Sequence, residues 1–472
     1  MKKEKWIESF EEFIKPRLET YQVPGLGMGL MKNREVIYQK EFGYKNAEKD
    51  VEVTSDTIFG LASITKSFVA MAILQLQEQG KLKVEDPVVN YLSNFRMPKG
   101  EDASKVTLHH LLTNSSGLPP MIHLYSSMKS SFNKDPYAAQ VYENLQVDPE
   151  EVSEINTYEE LMDAIANTDD QVLGAPGEVF SYSNEGFGLL GAIVERVSGQ
   201  DINTYMTEHI FKPIGMKNTS FHTELLNEHS LAMSYASEDD GDDQRVFASP
   251  TWWDAPAMLG AGFLKSTVDD MLQYSQVYCH GGMAEENRIL EESSMNTMMD
   301  THIRRDRGMY YGYGLVIIPD YHGHKLVEHG GSLKAISSKL VILPEEKVSG
   351  ITLTNMSGLP AELFMFGALN HLIGLPSNLP LIEHEDYELT DQEIEEYIGV
   401  YQSGEGADIE ISVKEGNLSF TNGDKEAPIR AVDRDYLKVK QNETEATVEI
   451  LRNQDGQVYA LTNGYRVVRK VK

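Results

Sequence analysis

Two side chains with the chemistry of a nucleophile and its base lie three residues apart in the N-terminal part of the chain. Ser63 and Lys66 belong to a turn that leads into an apolar segment with helical spacing, and Gly80 with Lys81 ends that segment. On a helix this separation places both side chains on one face, so an amine lies within proton-transfer reach of a hydroxyl. The free N–H groups at the helix start favour negative charge beside Ser63. The pattern predicts nucleophilic catalysis at Ser63.

The Ser-x-x-Lys spacing is not specific by itself. It recurs at Ser126/Lys129 and at Ser131/Lys134, in a polar stretch that we expect to be a loop. The motif is therefore a hypothesis that depends on its setting.

Two further fragments supply that setting. Tyr182-Ser183-Asn184 stands just before a predicted helix over residues 185–197, and His329-Gly330-Gly331-Ser332 follows the strand-like run 325–328. Each fragment is common alone, whereas their order and their surroundings together are not.

These motifs together resemble the serine β-lactamase and penicillin-binding-protein superfamily, specifically its class C β-lactamase-like branch of esterases, D-aminopeptidases and related hydrolases. The resemblance covers about residues 1 to 375, and the segments 106–119 and 260–267 support it. It implies an α+β fold with an antiparallel sheet flanked by helices and a helical subdomain.

The resemblance also implies a role for each matched residue. Ser63 would be the nucleophile, with Lys66 and Tyr182 as proton carriers. The remaining residues would bind substrate or the oxyanion: Asn184 orienting Lys66 or the substrate amide, His329 and Gly331 beside the cleft, and Ser332 sharing the oxyanion hole with Ser63 through backbone N–H groups.

The identity of the general base stays open at this point. A free lysine or phenol is mostly protonated at neutral pH, so one of the two pKa values has to be lowered. Burial would do this for Lys66, and a neighbouring positive charge would do it for Tyr182.

The expected activity is hydrolysis of amide or ester bonds through an acyl-enzyme, with D-amino-acid peptides or small esters as substrates. One alternative is a penicillin-binding or sensor protein that β-lactams acylate and that turns over slowly. Another is a ligand-binding protein in which the C-terminal part carries the function.

The residue at the Lys-Thr-Gly position of this superfamily bears on the substrate. His329 stands where dedicated β-lactamases usually carry a lysine that helps to hold a carboxylate, and a histidine is mostly neutral at pH 7 to 8. We therefore expect esterase or peptidase activity above β-lactamase activity. Lys334 is expected to be a solvated loop lysine with little influence.

Composition excludes some classes of partner. The 73 acidic and 42 basic residues give a formal net charge of -31, which should repel nucleic acid and anionic membrane surfaces. The acidic run 238–243 is expected to be a solvated loop without a metal, and nothing in the sequence calls for a cofactor. Cys279 is the only cysteine, so no intrachain disulfide can form.

The N-terminal region predicts an amphipathic helix, since its apolar residues are spaced among Glu and Lys rather than joined in a continuous run. No segment approaches the roughly 18 apolar residues of a membrane span. We expect a cytoplasmic protein without a membrane partner, or a secreted one if a leader was removed.

The chain divides into three parts by its patterns. Residues 1–375 carry the hydrolase motifs, with an irregular surface insertion expected at 121–156. The Pro and acidic residues of 376–389 indicate a linker. Residues 390–472 alternate as short strands after a capped helix and resemble the lipocalin-like barrels appended to some hydrolases. This barrel is expected to cover the cleft or to mediate self-association.

Overall fold

The computed structural model describes residues 3–240, 243–406, 408–414, 416–423, 425–441 and 443–471.

The α-helices lie mainly in the first 400 residues. They are α1 (Lys3–Thr20), α2 (Thr65–Glu78), α3 (Leu108–Leu112), α4 (His123–Phe132), α5 (Ala138–Leu145), α6 (Tyr158–Asn167), α7 (Asn184–Ser198), α8 (Ile202–Met206), α9 (Lys212–Ile214), α10 (Leu259–Gly262), α11 (Val268–Cys279), α12 (Glu292–Met298), α13 (Ala361–Leu372) and α14 (Asp391–Tyr397).

The strands form one large sheet, one barrel and three short pairs. They are β1 (Gly25–Lys32), β2 (Glu35–Asn46), β3 (Val51–Glu52), β4 (Phe59–Gly60), β5 (Tyr235–Asp240), β6 (Asp243–Ala248), β7 (Lys265–Ser266), β8 (Met283–Ala284), β9 (Asn287–Arg288), β10 (Ile303–Asp306), β11 (Met309–Tyr311), β12 (Val316–Tyr321), β13 (His324–Leu333), β14 (Ile336–Leu343), β15 (Val348–Thr354), β16 (Gly399–Gln402), β17 (Ile409–Lys414), β18 (Asn417–Asn422), β19 (Lys425–Asp433), β20 (Tyr436–Gln441), β21 (Thr444–Arg452), β22 (Val458–Asn463) and β23 (Arg466–Lys470).

The large sheet is antiparallel and joins the two ends of the first 375 residues. Its strand order is β10-β11-β12-β13-β14-β15-β1-β2-β3, and the register of β1 on β15 pairs Leu26 with Thr354. The antiparallel sheet that the family resemblance implies is confirmed.

The two faces of this sheet differ in side-chain size. Along β1, Leu26 and Met28 point into the apolar core that α1 and α13 cover. The intervening Gly27 and Gly29 face α11, where a Cβ on Gly29 would lie 2.7 Å from Leu272 Cδ1. The strand alternation thus lets helices cover both faces, as expected for a mixed α/β fold.

Helix α2 is buried on all sides. Every residue from Thr65 to Leu76 is buried, in keeping with a helix that is apolar around its circumference. Gly80, at φ 69°, supports the turn after the helix. A buried helix is a rigid support for the residues at its N-terminus.

The expectation of an irregular insertion at 121–156 is wrong. This segment contains α4 and α5, and the second Ser-x-x-Lys pair, Ser126/Lys129, lies within α4. Met128 and Phe132 of α4 are fully buried, and Phe132 packs against Trp253 with ring centroids 5.5 Å apart. The polar composition of the segment conceals two amphipathic helices, which burial of their apolar faces stabilises.

The C-terminal strands β16 to β23 form a closed barrel, as predicted. Closure comes from antiparallel pairing of β16 with β23, where Tyr401 lies opposite Lys470. Tyr401, Ile411, Leu437 and other buried side chains of alternating strand positions fill the core. The predicted capping box of Thr390 and Glu393 begins α14 just before it.

Two further expectations concern the surface. The prediction of a loop over the acidic run 238–243 is wrong at its ends, because residues 238–240 belong to β5 and Asp243 to β6, which pair as antiparallel strands; residues 241 and 242 lie outside the described residues. Among the helices that the structure describes, none is both long and apolar enough to cross a membrane.

Candidate active site

Ser63 lies where the chain turns into α2. A short 3-10 turn over Ala62–Ile64 runs directly into the helix, as the sequence predicts. Ala62 has φ 46°, an uncommon conformation for a residue with a Cβ. The turn is tied to its surroundings by the Leu61 N–H, which donates to Leu264 O at 2.9 Å. It presents the Ser63 side chain to a cleft.

Lys66 is completely buried one turn further along. Its Nζ donates to Ser63 Oγ at 3.2 Å, to Asn184 Oδ1 at 2.9 Å and to the carbonyl oxygen of Ala261. Burial lowers the pKa of Lys66 well below its ordinary value, and the positive charge of Arg466 lowers it further. The amine is therefore easier to deprotonate than a free lysine.

Tyr182 shares the same space. Its ring centroid lies 4.7 Å from Lys66 Nζ. Its buried hydroxyl donates no hydrogen bond to a described residue. Burial raises the pKa of Tyr182, and interaction with Ser63 offsets part of that rise. The hydroxyl is therefore available for proton exchange with Ser63 or with a bound substrate.

Asn184 is the first residue of α7, and local capping positions it. Ser183 is the N-cap, and its Oγ accepts from the Gly186 N–H at 3.1 Å. The Ser183 N–H in turn donates to Asn114 Oδ1 at 3.0 Å, so the supporting segment 106–119 holds this loop. Capping thus fixes the amide that accepts from Lys66.

Strand β13 forms the opposite wall of the cleft and carries His329, Gly331 and Ser332. Burial lowers the pKa of His329 to about 3, so the ring is neutral at physiological pH. Its Nε2 lies 3.1 Å from Tyr311 Oη. Ser332 faces the cleft at the exposed end of the strand.

Gly331 allows this strand to approach the nucleophile turn. A Cβ at this position would lie 2.2 Å from Leu61 O and 3.1 Å from the Ala62 Cβ. The Ser338 hydroxyl from β14 donates to the same Leu61 oxygen at 2.8 Å. A glycine is therefore required by close backbone approach.

The cleft has a volume of about 700 Å³ and all seven of the expected site residues except Lys66 line it. Lys66 lies directly beneath, in contact with Ser63. Helices α4 and α5 contribute Tyr125 and Val141 to one wall, together with Trp253. The segment 121–156 thus borders the cleft.

The barrel also contributes to the site, which the motifs do not reveal. Glu405, Tyr465 and Arg466 line the cleft. The Tyr182 N–H donates to Tyr465 O at 2.9 Å, and the Arg466 guanidinium lies 5.2 Å from the Tyr182 ring centroid. Arg466 is paired with Glu405, one Glu405 oxygen being 3.0 Å from Arg466 Nη2. No short sequence pattern links these residues, because more than 280 positions separate Tyr465 from Tyr182.

Lys334 is not the solvated loop lysine that we expect from the sequence. Its side chain is 2% exposed and forms an ion pair with Asp135, which is 0% exposed. The ammonium also donates to the carbonyl oxygens of Ser249 and Thr251, each at 2.7 Å. Asp135 lies in the link between α4 and α5, so the pair joins this segment to the residue that follows β13.

The same buried carboxylate accepts further hydrogen bonds. The Trp253 Nε1–H donates to Asp135 Oδ2 at 3.1 Å, and the Ser249 hydroxyl donates to Asp135 Oδ1 at 2.5 Å. Trp253 therefore has two roles: it packs against Phe132 and it lines the cleft. Within the described ranges, no group of three or more His, Cys, Asp or Glu side chains is arranged to hold a metal ion.

The geometry permits acyl transfer. A hydroxyl, an amine of lowered pKa and an unpartnered phenol occupy one space at the start of a buried helix, opposite the end of a strand. Such a set can accept a proton, hold it and return it to a leaving group.

Comparisons with known proteins identify a family for this chain. The family model described as Beta-lactamase matches residues 10–367. Protein flp of Staphylococcus aureus (strain MW2) is 25% identical over 393 residues, covering 83% of this chain and 69% of that protein.

Solved structures extend the similarity to the barrel. The octameric penicillin-binding protein homologue from Pyrococcus abyssi superimposes with a TM-score of 0.68 at 28% identity, over 98% of this chain and 100% of that chain. A D-stereospecific amidohydrolase from Streptomyces sp. shares the fold with a TM-score of 0.59 at 22% identity, over 73% and 93% of the two chains. Because the family model matches most of the sequence, the chain belongs to the Beta-lactamase family.

Proposed function

We propose that this protein is a serine hydrolase that forms an acyl-enzyme at Ser63 and cleaves amide or ester bonds in D-amino-acid peptides or small esters. The observation that carries the proposal is the 3.2 Å contact between Ser63 Oγ and the buried Lys66 amine. A hydroxyl is a weak nucleophile until a neighbouring base removes its proton.

Lys66 is the general base in this proposal. Burial lowers its pKa, whereas burial raises the pKa of Tyr182. Lys66 takes the Ser63 proton as Oγ bonds to the substrate carbonyl carbon. The protonated Tyr182 then donates to the departing nitrogen or oxygen and is reprotonated through Lys66. Water later cleaves the ester bond between Ser63 and the acyl group, and the same proton transfers run in the reverse direction.

The oxyanion that forms in each step would be held by backbone N–H groups of Ser63 and Ser332. Ser63 is in the turn at the start of α2, and Ser332 is at the end of β13 on the facing wall. Gly331 keeps the two walls close together. Preorganised donors of this kind stabilise charge without reorganisation during the reaction.

The neutral His329 bears on the substrate. Without a fixed positive charge at this place, recognition of an adjacent carboxylate should weaken by roughly 1.5–3 kcal/mol, the value of a charge-assisted hydrogen bond. Esters and peptides that carry no carboxylate beside the scissile bond are therefore favoured over β-lactams.

Ser63→Ala tests the proposal. Aryl esters, D-amino-acid anilides and a chromogenic cephalosporin are assayed with the native chain, with Ser63→Ala and with Ser126→Ala, the control from the second Ser-x-x-Lys pair. We expect turnover of the ester or anilide to vanish only in Ser63→Ala. Full activity in Ser63→Ala would contradict the assignment of Ser63 as the nucleophile.

Intact mass after incubation with penicillin separates a hydrolase from a penicillin sensor. A hydrolase shows no lasting adduct, whereas a stable adduct on Ser63 without measurable turnover of any substrate in the panel would identify the sensor.

We further propose that residues 390–472 form a separable barrel domain after the 376–389 linker, and that the protein self-associates through it. The octameric state of the Pyrococcus abyssi homologue supports the second point. Light scattering of the full chain measures the mass, and a monomer at all concentrations would contradict it.

A further inference from the structure

His329 uses both of its ring nitrogens inside the protein. Its Nδ1 lies 2.6 Å from the carbonyl oxygen of Gly330, and its Nε2 lies 3.1 Å from Tyr311 Oη. A carbonyl oxygen accepts hydrogen bonds and cannot donate them, so Nδ1 carries the hydrogen. Burial lowers the pKa of His329 to about 3, so the ring is neutral and Nε2 has no hydrogen. The Tyr311 hydroxyl therefore donates to Nε2, and the ring has one defined tautomer.

This tautomer leaves no N–H of the ring for a substrate. A neutral imidazole has a single N–H, and that of His329 is directed at the Gly330 carbonyl. The residue is also only 4% exposed, although it lies in the wall of the cleft. The two nitrogens of His329 therefore serve contacts within the protein.

The end of β13 needs support of this kind, because it is paired on one side only. Strand β12 pairs with β13 as far as Glu328. From His329 to Leu333, the register that the structure describes pairs β13 with β14 alone. The hydrogen bond to the Gly330 carbonyl acts on this end of the strand. Ser332, with its proposed oxyanion N–H, lies two residues further along.

Tyr311 is itself held in place from several sides. It belongs to β11, is 1% exposed, and its ring centroid lies 5.3 Å from that of Phe180 and 6.5 Å from that of Tyr182. The Asn114 amide interacts with Tyr311 and offsets part of the rise that burial causes in the Tyr311 pKa. Asn114 also accepts from the Ser183 N–H. Tyr311 therefore connects β13 to the segment that carries Tyr182.

From these contacts we infer that Tyr311 is a positioning residue: its hydroxyl holds His329 in one tautomer, and His329 holds the Gly330 peptide at the end of β13. In this way Tyr311 acts on the Ser332 N–H without touching the substrate. The inference rests on the proposed hydrolase function, and it assigns His329 to the support of the strand rather than to contact with the substrate.

Tyr311→Phe tests the hydroxyl alone, because the ring and its contacts with Phe180 and Tyr182 remain. We expect kcat for para-nitrophenyl acetate to fall about tenfold with KM near that of the native chain, because a displaced oxyanion donor weakens stabilisation of the transition state. This loss is smaller than the roughly 100-fold to 1000-fold cost of removing such a donor outright. A native kcat in Tyr311→Phe would overturn the inference.

Tyr310→Phe is the matched control on the same strand. Tyr310 packs against the core that contains α2 and α11, on the opposite face of the sheet from Tyr311, which belongs to the core that α1 and α13 cover. We expect a kcat near that of the native chain. An equal loss in both variants would attribute the effect to β11 as a whole and would contradict the role of the Tyr311 hydroxyl.

A double-mutant cycle shows whether Tyr311 acts through His329. In His329→Ala the ring that accepts from the hydroxyl is absent, so adding Tyr311→Phe should lower kcat by no more than about twofold. A double variant close to His329→Ala supports the inference. If the two losses multiply, the residues act independently and the inference is wrong.

Nitrogen-15 NMR of the imidazole rings measures the tautomer without turnover. The signals of His329 are those that disappear in His329→Ala. In the native chain Nδ1 should be protonated and Nε2 unprotonated, and in Tyr311→Phe a second population with the hydrogen on Nε2 should appear. A native ring with its hydrogen on Nε2, or a single unchanged tautomer in Tyr311→Phe, overturns the inference.

The same measurement separates this inference from the proposed function. If Ser63→Ala still hydrolyses the ester, the proposed catalytic role of Ser63 is wrong. The tautomer of His329 in the two spectra still decides whether Tyr311 holds the ring.

Discussion

The pKa of the Lys66 amine depends on Arg466, a residue near the C-terminus of the chain. Arg466 is among the charges that lower the pKa of Lys66, whereas its partner Glu405 raises it. Only the neutral amine can act as a base, so activity should rise with pH through the Lys66 pKa and be lost below it.

Replacing Arg466 should therefore shift the pH profile. In Arg466→Gln the cation is lost and Glu405 is left unpaired, and both changes raise the Lys66 pKa. The acidic limb of kcat/KM should move to higher pH, with less change in the alkaline plateau. Arg466→Lys keeps the charge and serves as control. An acidic limb that stays in place would mean that Arg466 does not act on Lys66.

The buried pair of Lys334 and Asp135 should matter for stability. Both side chains are almost fully buried, so Lys334→Ala leaves an unneutralised carboxylate in the interior. Breaking such a pair costs roughly 3–5 kcal/mol. The free energy of unfolding, measured with urea, should fall by about this amount.

The double variant Lys334→Met with Asp135→Leu should recover part of that loss, since it removes both charges. A single variant as stable as the native chain would show that the pair is dispensable.

At the scale of elements, the close approach of β13 to the nucleophile turn should depend on Gly331. A Cβ in Gly331→Ala would meet the Leu61 carbonyl oxygen at 2.2 Å, and because this is a backbone atom the turn or the strand has to move. Overpacking of this kind costs about 1–3 kcal/mol. It should also reduce kcat, since it displaces Ser63 relative to Ser332.

Gly330→Ala is the control on the same strand. Its Cβ would meet nothing closer than 3.7 Å, an ordinary contact. Equal losses of kcat in the two variants would rule out the close approach as the cause.

At the scale of the molecule, the barrel should shape the cleft rather than bind a ligand of its own. Apolar and aromatic side chains fill its core, whereas Tyr465 and Arg466 reach the active site. Strand β23 of the barrel is held to the segment that precedes Tyr182, because the Val467 N–H donates to Ser181 Oγ at 3.2 Å.

A chain shortened to residues 1–389 should fold with an open cleft. We expect it to retain Ser63 acylation by small esters, with an acidic limb of kcat/KM at higher pH because Arg466 is absent. Circular dichroism checks the fold and esterase kinetics check the site. A shortened chain with the native pH profile would show that the barrel has no effect on the site.

The sequence alone determined the features that arise from short-range patterns. Ser63 and Lys66 meet because a helix brings residues three apart onto one face, and Thr157 with Glu160 begins α6 because a capping box satisfies its own N–H groups. Strand alternation predicted the short strands of the C-terminal barrel, since that signal repeats every two residues, whereas the antiparallel sheet followed from the family resemblance.

The tertiary structure decided the features that depend on distant residues. Lys334 is buried rather than solvated, because Asp135, 199 positions away in the sequence, forms an ion pair with it in the interior. Helix α4 packs in the interior against the distant Trp253, and Arg466 lowers the Lys66 pKa from a strand near the C-terminus. Desolvation and charge pairing depend on three-dimensional distance, which no local pattern of residue types encodes.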